Sequence, residues 1–329
     1  MRPEGPLVLA FDIGATWLRA ALADEKGHVL HRLIERTAGG SRALEAQLAR
    51  SAQELLGRAQ ALGGNVVAAG VGCIGPLDIR EGVILGPPNL PAERVEVGRV
   101  LREVLNGLPV YVLNDCTTAC YGEWLLGAGR GVRNLAYVAI GTGIGGGAVV
   151  DGRLLLGWRG NAAEVGHLVV DARGRLRCGC GGLGHWEAYC SGAGMPRFLA
   201  RWASEHGLTQ HELEAAFGKE LARITVEDIS AAARKGHPIA LRFLDEVALL
   251  NAAGLASVIN AFNPELLIVG GSVALENYEL VVEKALDRLD EFTLNQVPPV
   301  RPATFGRDAV LMGAIALATR PPEELTGGR

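Results

Sequence analysis

Residues 7–23, LVLAFDIGATWLRAALA, decide the fold. The apolar run that opens this stretch reaches Asp12, turns at Gly14-Ala15-Thr16 and returns as Trp17–Ala23. A run this short and this apolar reads as a buried strand, linked to the next by a turn of hairpin type. Residues 135–150, LAYVAIGTGIGGGAVV, repeat the design. Here the strand is Leu135–Ile140, the turn Gly141–Gly147 is built from Gly and Thr, and Ala148–Val150 is the return strand. The two stretches read as distant copies of one βββαβα plan.

Working outward, Val29–Glu35 is a third strand, entered through the turn Asp24-Glu25-Lys26-Gly27. Ser41–Leu62 reads as a helix, with Ser41 as its N-cap and Gly63-Gly64 as its stop. Val66–Val71 is a buried strand, residues 75–92 a loop rich in Pro and Gly, and Val95–Leu105 a helix. The strand Val110–Leu113 delivers Asn114-Asp115 to its C-terminal end, ahead of a helix through Trp124. In the second block, residues 158–186 are irregular. Trp186–Trp202, Val226–Lys235 and Pro238–Phe262 read as helices, Glu265–Val269 as a strand ending at Gly270-Gly271, and Ala309–Ala318 as a closing helix. Strands alternating with helices predict an α/β protein with mixed sheets, whose ligands sit at the carboxyl ends of strands.

The chain of 329 residues is long for one core and suits two domains. Hydrophobic residues make up 49% and the net charge is −4, which gives no basic bias toward nucleic acid or an anionic membrane. No stretch approaches the roughly 20 apolar residues that span a bilayer. The opening residues Met1–Ile13 lack a cleavage-site pattern, so a cytoplasmic protein is expected. The six Cys residues do not have disulfide-framework spacing, and three crowd into one Gly-rich segment, which favours metal binding.

A phosphate chain needs backbone N–H groups nearby and no side chains in the way, which Gly permits. Asp12-Ile13-Gly14-Ala15-Thr16 and Gly141-Thr142-Gly143 both fit, with a Thr hydroxyl as an added donor and Asp12 able to orient metal-bound water. Each turn alone reads equally well as a hairpin that uses Gly for shape. Two in matching positions favour a nucleotide. Gly270-Gly271 is a third close-approach site and also reads as a plain strand-to-helix turn. Asp115 suits a base that takes a proton from an attacking hydroxyl, or an N-cap of the helix after it.

His167, Cys178, Cys180 and His185 form a Cys2His2 set that suits a tetrahedral, structural Zn²⁺. Without metal the same loop is a run of reduced thiols. Zinc would hold the loop so that Glu164, His167 and Glu187 face one pocket, where carboxylates accept hydrogen bonds from sugar hydroxyls. In isolation, the two Glu residues read as solvated surface.

These motifs together resemble the ROK family (repressors, open reading frames, sugar kinases). Asp12–Thr16 is similar to its DxGxT phosphate motif, Gly72-Cys73-Ile74-Gly75-Pro76 to its GxPGP segment, and Asn114-Asp115 to its catalytic pair. Gly141–Gly147 is similar to its second phosphate turn. Glu164-Val165-Gly166-His167 and the segment Cys178–Glu187 resemble its signature. The resemblance runs from Leu7 to about Ala318.

It implies an actin-like ATPase fold of the hexokinase and ribonuclease H type, with two lobes around a central cleft. A small N-terminal α/β domain would span 1–118, with the helix about 309–323 packing back on it. A large domain with the zinc loop would span 119–308. ATP with Mg²⁺ would phosphorylate a hexose, glucose first, at its 6-hydroxyl. Asp115 would be the base, and Asn89, Asn114, Glu164, His167 and Glu187 would hold the sugar. Asp12, Gly14, Ala15, Thr16, Gly141, Thr142, Gly143, Gly270 and Gly271 would hold the nucleotide. Kinases of fructose or of an N-acetylated amino sugar are the near alternatives. A sugar-responsive regulator is the distant one, for which no helix-turn-helix precedes Asp12. The family also forms homodimers, and no diagnostic interface stripe stands out. This chain departs from the family pattern at His185, where a third zinc Cys is usual, and at Ala15 and Trp17.

Overall fold

The computed structural model describes residues 5–87 and 89–326. The chain divides into two compact units, one of Met1–Arg133, Gly147–Ala163 and Arg307–Arg329, the other of Asn134–Gly146 and Glu164–Gly306.

The first unit is built on β1 (Leu7–Ile13), β2 (Trp17–Asp24), β3 (Val29–Arg36) and β4 (Val66–Cys73). Three short strands, β5 (Leu77–Asp78), β6 (Val83–Leu85) and β7 (Arg94–Val95), form a small antiparallel sheet, and β8 (Val110–Asn114) completes the main one. The main sheet has the order β3-β2-β1-β4-β8. β1 pairs antiparallel with β2 and parallel with β4, which pairs parallel with β8.

All of β1 is buried, and its two rows of side chains enter different cores. Leu7, Leu9, Phe11 and Ile13 pack with Leu44, Leu48 and Leu55 of helix Ser41–Ala61 and Val100 and Leu101 of helix Val97–Val104. Val8 and Ala10 pack with Leu311, Ala314 and Ile315 of helix Ala309–Thr319. The second face is lined with small residues because this helix lies almost on the backbone. A Cβ at Gly70 would stand 2.0 Å from the Ala314 carbonyl oxygen, and one at Gly313 would stand 1.9 Å from that of Thr118.

The second sheet comprises β9 (Leu135–Ile140), β10 (Ile144–Val150), β11 (Arg153–Leu154), β12 (Leu266–Gly270) and β13 (Val300–Pro302), in the order β11-β10-β9-β12-β13. This is the third-second-first-fourth-fifth order of the first sheet, so the repeated plan legible in the sequence is a repeated topology. In the second unit the long helix Pro238–Phe262 holds Trp186, whose indole N–H donates to Asn251 Oδ1 at 2.7 Å. Among the described residues, no helix is long and apolar enough to cross a membrane.

Several local expectations change. Gly40, at φ +88°, is the N-cap in place of Ser41, whose hydroxyl accepts from the Arg94 N–H at 3.3 Å. β10 begins at Ile144, so Gly145–Gly147 are strand and the turn shrinks to Gly141–Gly143. Gly147 serves close packing, since a Cβ there would meet that of Cys120 at 2.5 Å. The helix expected over Trp186–Trp202 is two, Glu187–Cys190 and Gly194–Glu205. Helix Gln210–Phe217 was not anticipated, although its capping box, Thr209 with Glu212, is a readable signal.

Gly313→Ala should lower the unfolding free energy by about 2 kcal/mol, because overpacking outweighs Ala's helix preference of about 1 kcal/mol. Urea unfolding checks this, and an unchanged midpoint would show that the helix can lift off without cost.

Candidate active site

In the first unit three neighbouring parallel strands end together. Asp12 of β1 lies opposite Gly72, and Cys73 of β4 lies opposite Asn114 of β8. Asp12 is 4% exposed. Arg19, its partner across the β1–β2 hairpin, donates to its Oδ2 at 2.7 Å. Burial pushes the Asp12 carboxyl up to about 6 against the pull of Arg19, and the charge of Asp115 adds to the rise. Arg19 was not anticipated, although a hairpin turning at 14–16 places 19 opposite 12.

Asn114, not Asp115, caps the helix Asp115–Leu125. Its Oδ1 accepts from the N–H groups of Cys116 at 2.9 Å and Thr117 at 3.4 Å. Its amide nitrogen donates to no group among the described residues. Asp115 is therefore free of the cap role. It is half-buried, and one carboxylate oxygen accepts from the Cys116 N–H at 2.7 Å. Burial raises its pKa despite that bond. The buried Cys73 thiol is pushed well up by burial and then by the charges of Asp115 and Asp12, which places the three groups in one electrostatic neighbourhood.

The first glycine turn is pinned from behind. Gly14 N–H donates to Trp17 O at 3.0 Å, the Thr37 N–H to Thr16 O at 3.0 Å, and the Thr37 hydroxyl to Gly14 O at 2.7 Å. Ala15 is half-buried and Thr16 exposed. The Trp17 ring is engaged by Arg36, which faces it across the β2–β3 pair with its guanidinium carbon 4.4 Å from the ring centroid. Asn89 is exposed, and its neighbour Pro88 lies outside the described residues.

In the second unit, Gly141 N–H donates to Gly143 O at 2.9 Å and closes the second turn. Gly271 takes φ +87°, and a Cβ there would stand 2.3 Å from Ile140 O. A Cβ at Gly270 would stand 2.5 Å from the Tyr137 hydroxyl. Both glycines are thus required by packing alone. Thr142, Gly192, Pro196, Thr225, Ser272 and Val273 line one cavity of about 310 Å³, which joins the second turn to the segment just after Gly270-Gly271. A larger cavity of about 530 Å³ in the first unit, beside Asp78 and Trp158, holds none of the predicted site residues.

The four candidate metal ligands of this unit converge, with one donor atom from each of His167, Cys178, Cys180 and His185 all within 4.8 Å of one another. Cys180 Sγ lies 3.2 Å from His185 Nδ1, and Cys178 Sγ 3.9 Å from His167 Nδ1. Ligand atoms around a tetrahedral zinc stand roughly 3.3–3.8 Å apart, given bonds of about 2.0–2.3 Å. Two thiols and two imidazoles at these spacings fit that ion. The loop reaches this shape through Gly181 at φ +94° and Gly184 at φ +71°. Burial pushes the Cys178 thiol up to about 11, a bias that a bound cation reverses. His167 Nε2 is 3.8 Å from the exposed Glu164 carboxylate, so its two ring nitrogens face different partners. Glu187 Oε2 accepts from the Ile144 N–H at 2.9 Å, and Oε1 from the Cys178 thiol at 3.5 Å.

The raised Asp12 pKa has a pH signature. An unfolded Asp ionises near 3.8, the folded one near 6. Between those values the folded chain holds more protons, so stability falls as pH rises from about 4 to 6 and levels off above. Asp12→Asn should remove this part of the slope in urea unfolding measured across that range. An unchanged slope would assign it to other groups.

The ROK family profile matches residues 8–321. A glucokinase of Pyrobaculum calidifontis is 41% identical over 317 residues, covering 96% of each chain. A glucokinase of Aeropyrum pernix is 40% identical over 331 residues, covering 97% of this chain and 98% of that one. Among solved structures, a ROK family glucokinase from Streptomyces griseus in complex with glucose and AMPPNP superposes with a TM-score of 0.76 at 32% identity, covering 95% of this chain and 99% of that one. The actin-like ATPase topology, the paired glycine turns and a match over nearly the whole length establish that the chain belongs to the ROK family.

Proposed function

We propose that the protein is an ATP-dependent glucokinase that transfers the terminal phosphoryl group of ATP to the 6-hydroxyl of glucose. The observation that carries this reading is Asp115, a half-buried carboxylate at the end of β8 whose cap duty is taken by Asn114. Relatives named as glucokinases at about two-fifths identity, and a structural neighbour holding glucose and an ATP analogue, support the same substrates.

In this mechanism Asp115 accepts the proton of the attacking hydroxyl, a task helped by its raised pKa. The Asn114 amide nitrogen donates to a sugar oxygen, and exposed Asn89 approaches the same sugar. In the second unit Glu164 and Glu187 accept from sugar hydroxyls, and His167 contributes the nitrogen that faces Glu164. The backbone donors of Gly14–Thr16 and of Gly141–Gly143 take phosphate oxygens. The cavity beside Thr142 and Ser272 takes the nucleoside, bordered by Gly270-Gly271. Asp12 would hold Mg²⁺ through water, and the ion would supply neutralisation of phosphate charge. His167, Cys178, Cys180 and His185 would hold a structural Zn²⁺, which supplies loop rigidity and no chemistry of its own. The reading places the enzyme in the cytoplasm, as a homodimer.

A coupled ADP-release assay with Mg-ATP and a panel of hexoses and N-acetylated amino sugars tests the reading. Glucose should turn over best. Turnover confined to an N-acetylated sugar would move the assignment to that substrate. Asp115→Ala should cut kcat by about 10³-fold or more with an unchanged unfolding midpoint, and an active variant would remove Asp115 from the mechanism. Metal analysis of the purified protein should find about one zinc per chain, lost in Cys178→Ser. Zinc retained by that variant would place the ion elsewhere.

A further inference from the structure

We infer that Glu187, assigned above to the sugar, is also a positioning residue for the nucleotide, because its carboxylate and the six residues after it set the shape of the second glycine turn. The inference rests on the reading that this turn holds phosphate.

Three hydrogen bonds tie the turn to one short segment. Glu187 Oε2 accepts from the Ile144 N–H at 2.9 Å. Past the helix Glu187–Cys190, the Gly192 N–H donates to Gly141 O at 2.7 Å and the Ala193 N–H to Thr142 O at 3.1 Å. A trans peptide is planar, so the N–H of each unit points opposite to its carbonyl. With the Gly141 and Thr142 carbonyls held by Gly192 and Ala193, the N–H groups of Thr142 and Gly143 point to the other side of the turn. Among the described residues neither N–H has a backbone acceptor. Two successive outward N–H groups form an anion-binding concavity.

Gly143 supplies the second, independent observation. A Cβ there would stand 2.5 Å from Glu187 Oε2 and 3.4 Å from its Cδ. A side chain at this position would therefore have to displace the Glu187 carboxylate, which stands where the Cβ would be. Sequence reading explains the same glycine by the approach of phosphate, and the structure adds a carboxylate on its other side. The remaining oxygen, Oε1, faces the Cys178 thiol of the metal-ligand set. One side chain thus touches both the metal loop and the turn.

Calorimetric titration with Mg-AMPPNP, in the absence of sugar, tests this on the zinc-containing protein. Glu187→Ala should weaken binding about tenfold, the loss expected for one hydrogen bond to a charged group. Glu187→Gln, whose amide oxygen can still accept from Ile144, should stay within about threefold while losing affinity for glucose. Gly143→Ala, which displaces the carboxylate and removes no charge, should weaken AMPPNP about tenfold, and far less in a Glu187→Ala background. Wild-type affinity in Gly143→Ala or Glu187→Ala, or independent losses in the double variant, would overturn the inference. If Glu187→Ala does not fold, Gly143→Ala alone decides. Failure of the wild-type protein to bind AMPPNP would overturn the kinase reading itself.

Discussion

The first unit depends on β1 being buried on both faces and hydrogen-bonded on both edges. A strand in that position cannot leave peptide groups unpaired, so it needs β2 on one side and β4 on the other. Its side chains must also meet two separate cores, large residues toward helices Ser41–Ala61 and Val97–Val104, small ones toward helix Ala309–Thr319. The strand loses its pairing only where it ends. There Asp12 sits buried with Arg19, and the neighbouring parallel strands bring Cys73 and Asn114-Asp115 to the same level. Polar chemistry collects at this end because the interior of the sheet excludes it.

The second unit solves a similar problem with less side-chain volume. Gly143, Gly270 and Gly271 lie where a carboxylate, a Tyr hydroxyl and backbone, respectively, occupy the space of a Cβ. The turn is held by the segment that follows Glu187. The metal-ligand loop precedes Glu187 directly, so disorder there would reach the turn through one carboxylate and a few backbone bonds. Four converging donors in a loop this rich in Gly make sense as a means of ordering a segment that propensity alone would leave loose.

Two of the three departures from the family pattern, Trp17 and His185, have local physical accounts. Trp17 pairs with Arg36 across β2 and β3, so the exposed aromatic ring is spent on its own sheet. His185 keeps a nitrogen 3.2 Å from Cys180 Sγ, so an imidazole stands where a thiol is usual and the donor set stays four.

The sequence alone determined the repeated strand–turn–strand plan, because buried strands and their glycine turns are local patterns of period and composition. It also brought out the ligand set, through Cys and His residues crowded into one Gly-rich segment, and the Asn114-Asp115 pair, through its resemblance to the family's catalytic pair. It named Gly143, Gly270 and Gly271, but not the neighbours that require them. Only the tertiary structure decided which residue of the Asn114-Asp115 pair caps the helix, that the helix over Trp186–Trp202 breaks to bond the second turn, and that Glu187 fills the space beside Gly143. The cap is set by the extended backbone of Asn114, and the other two depend on contacts between segments far apart in the chain. Local propensity carries no information about the distance at which two such backbones meet.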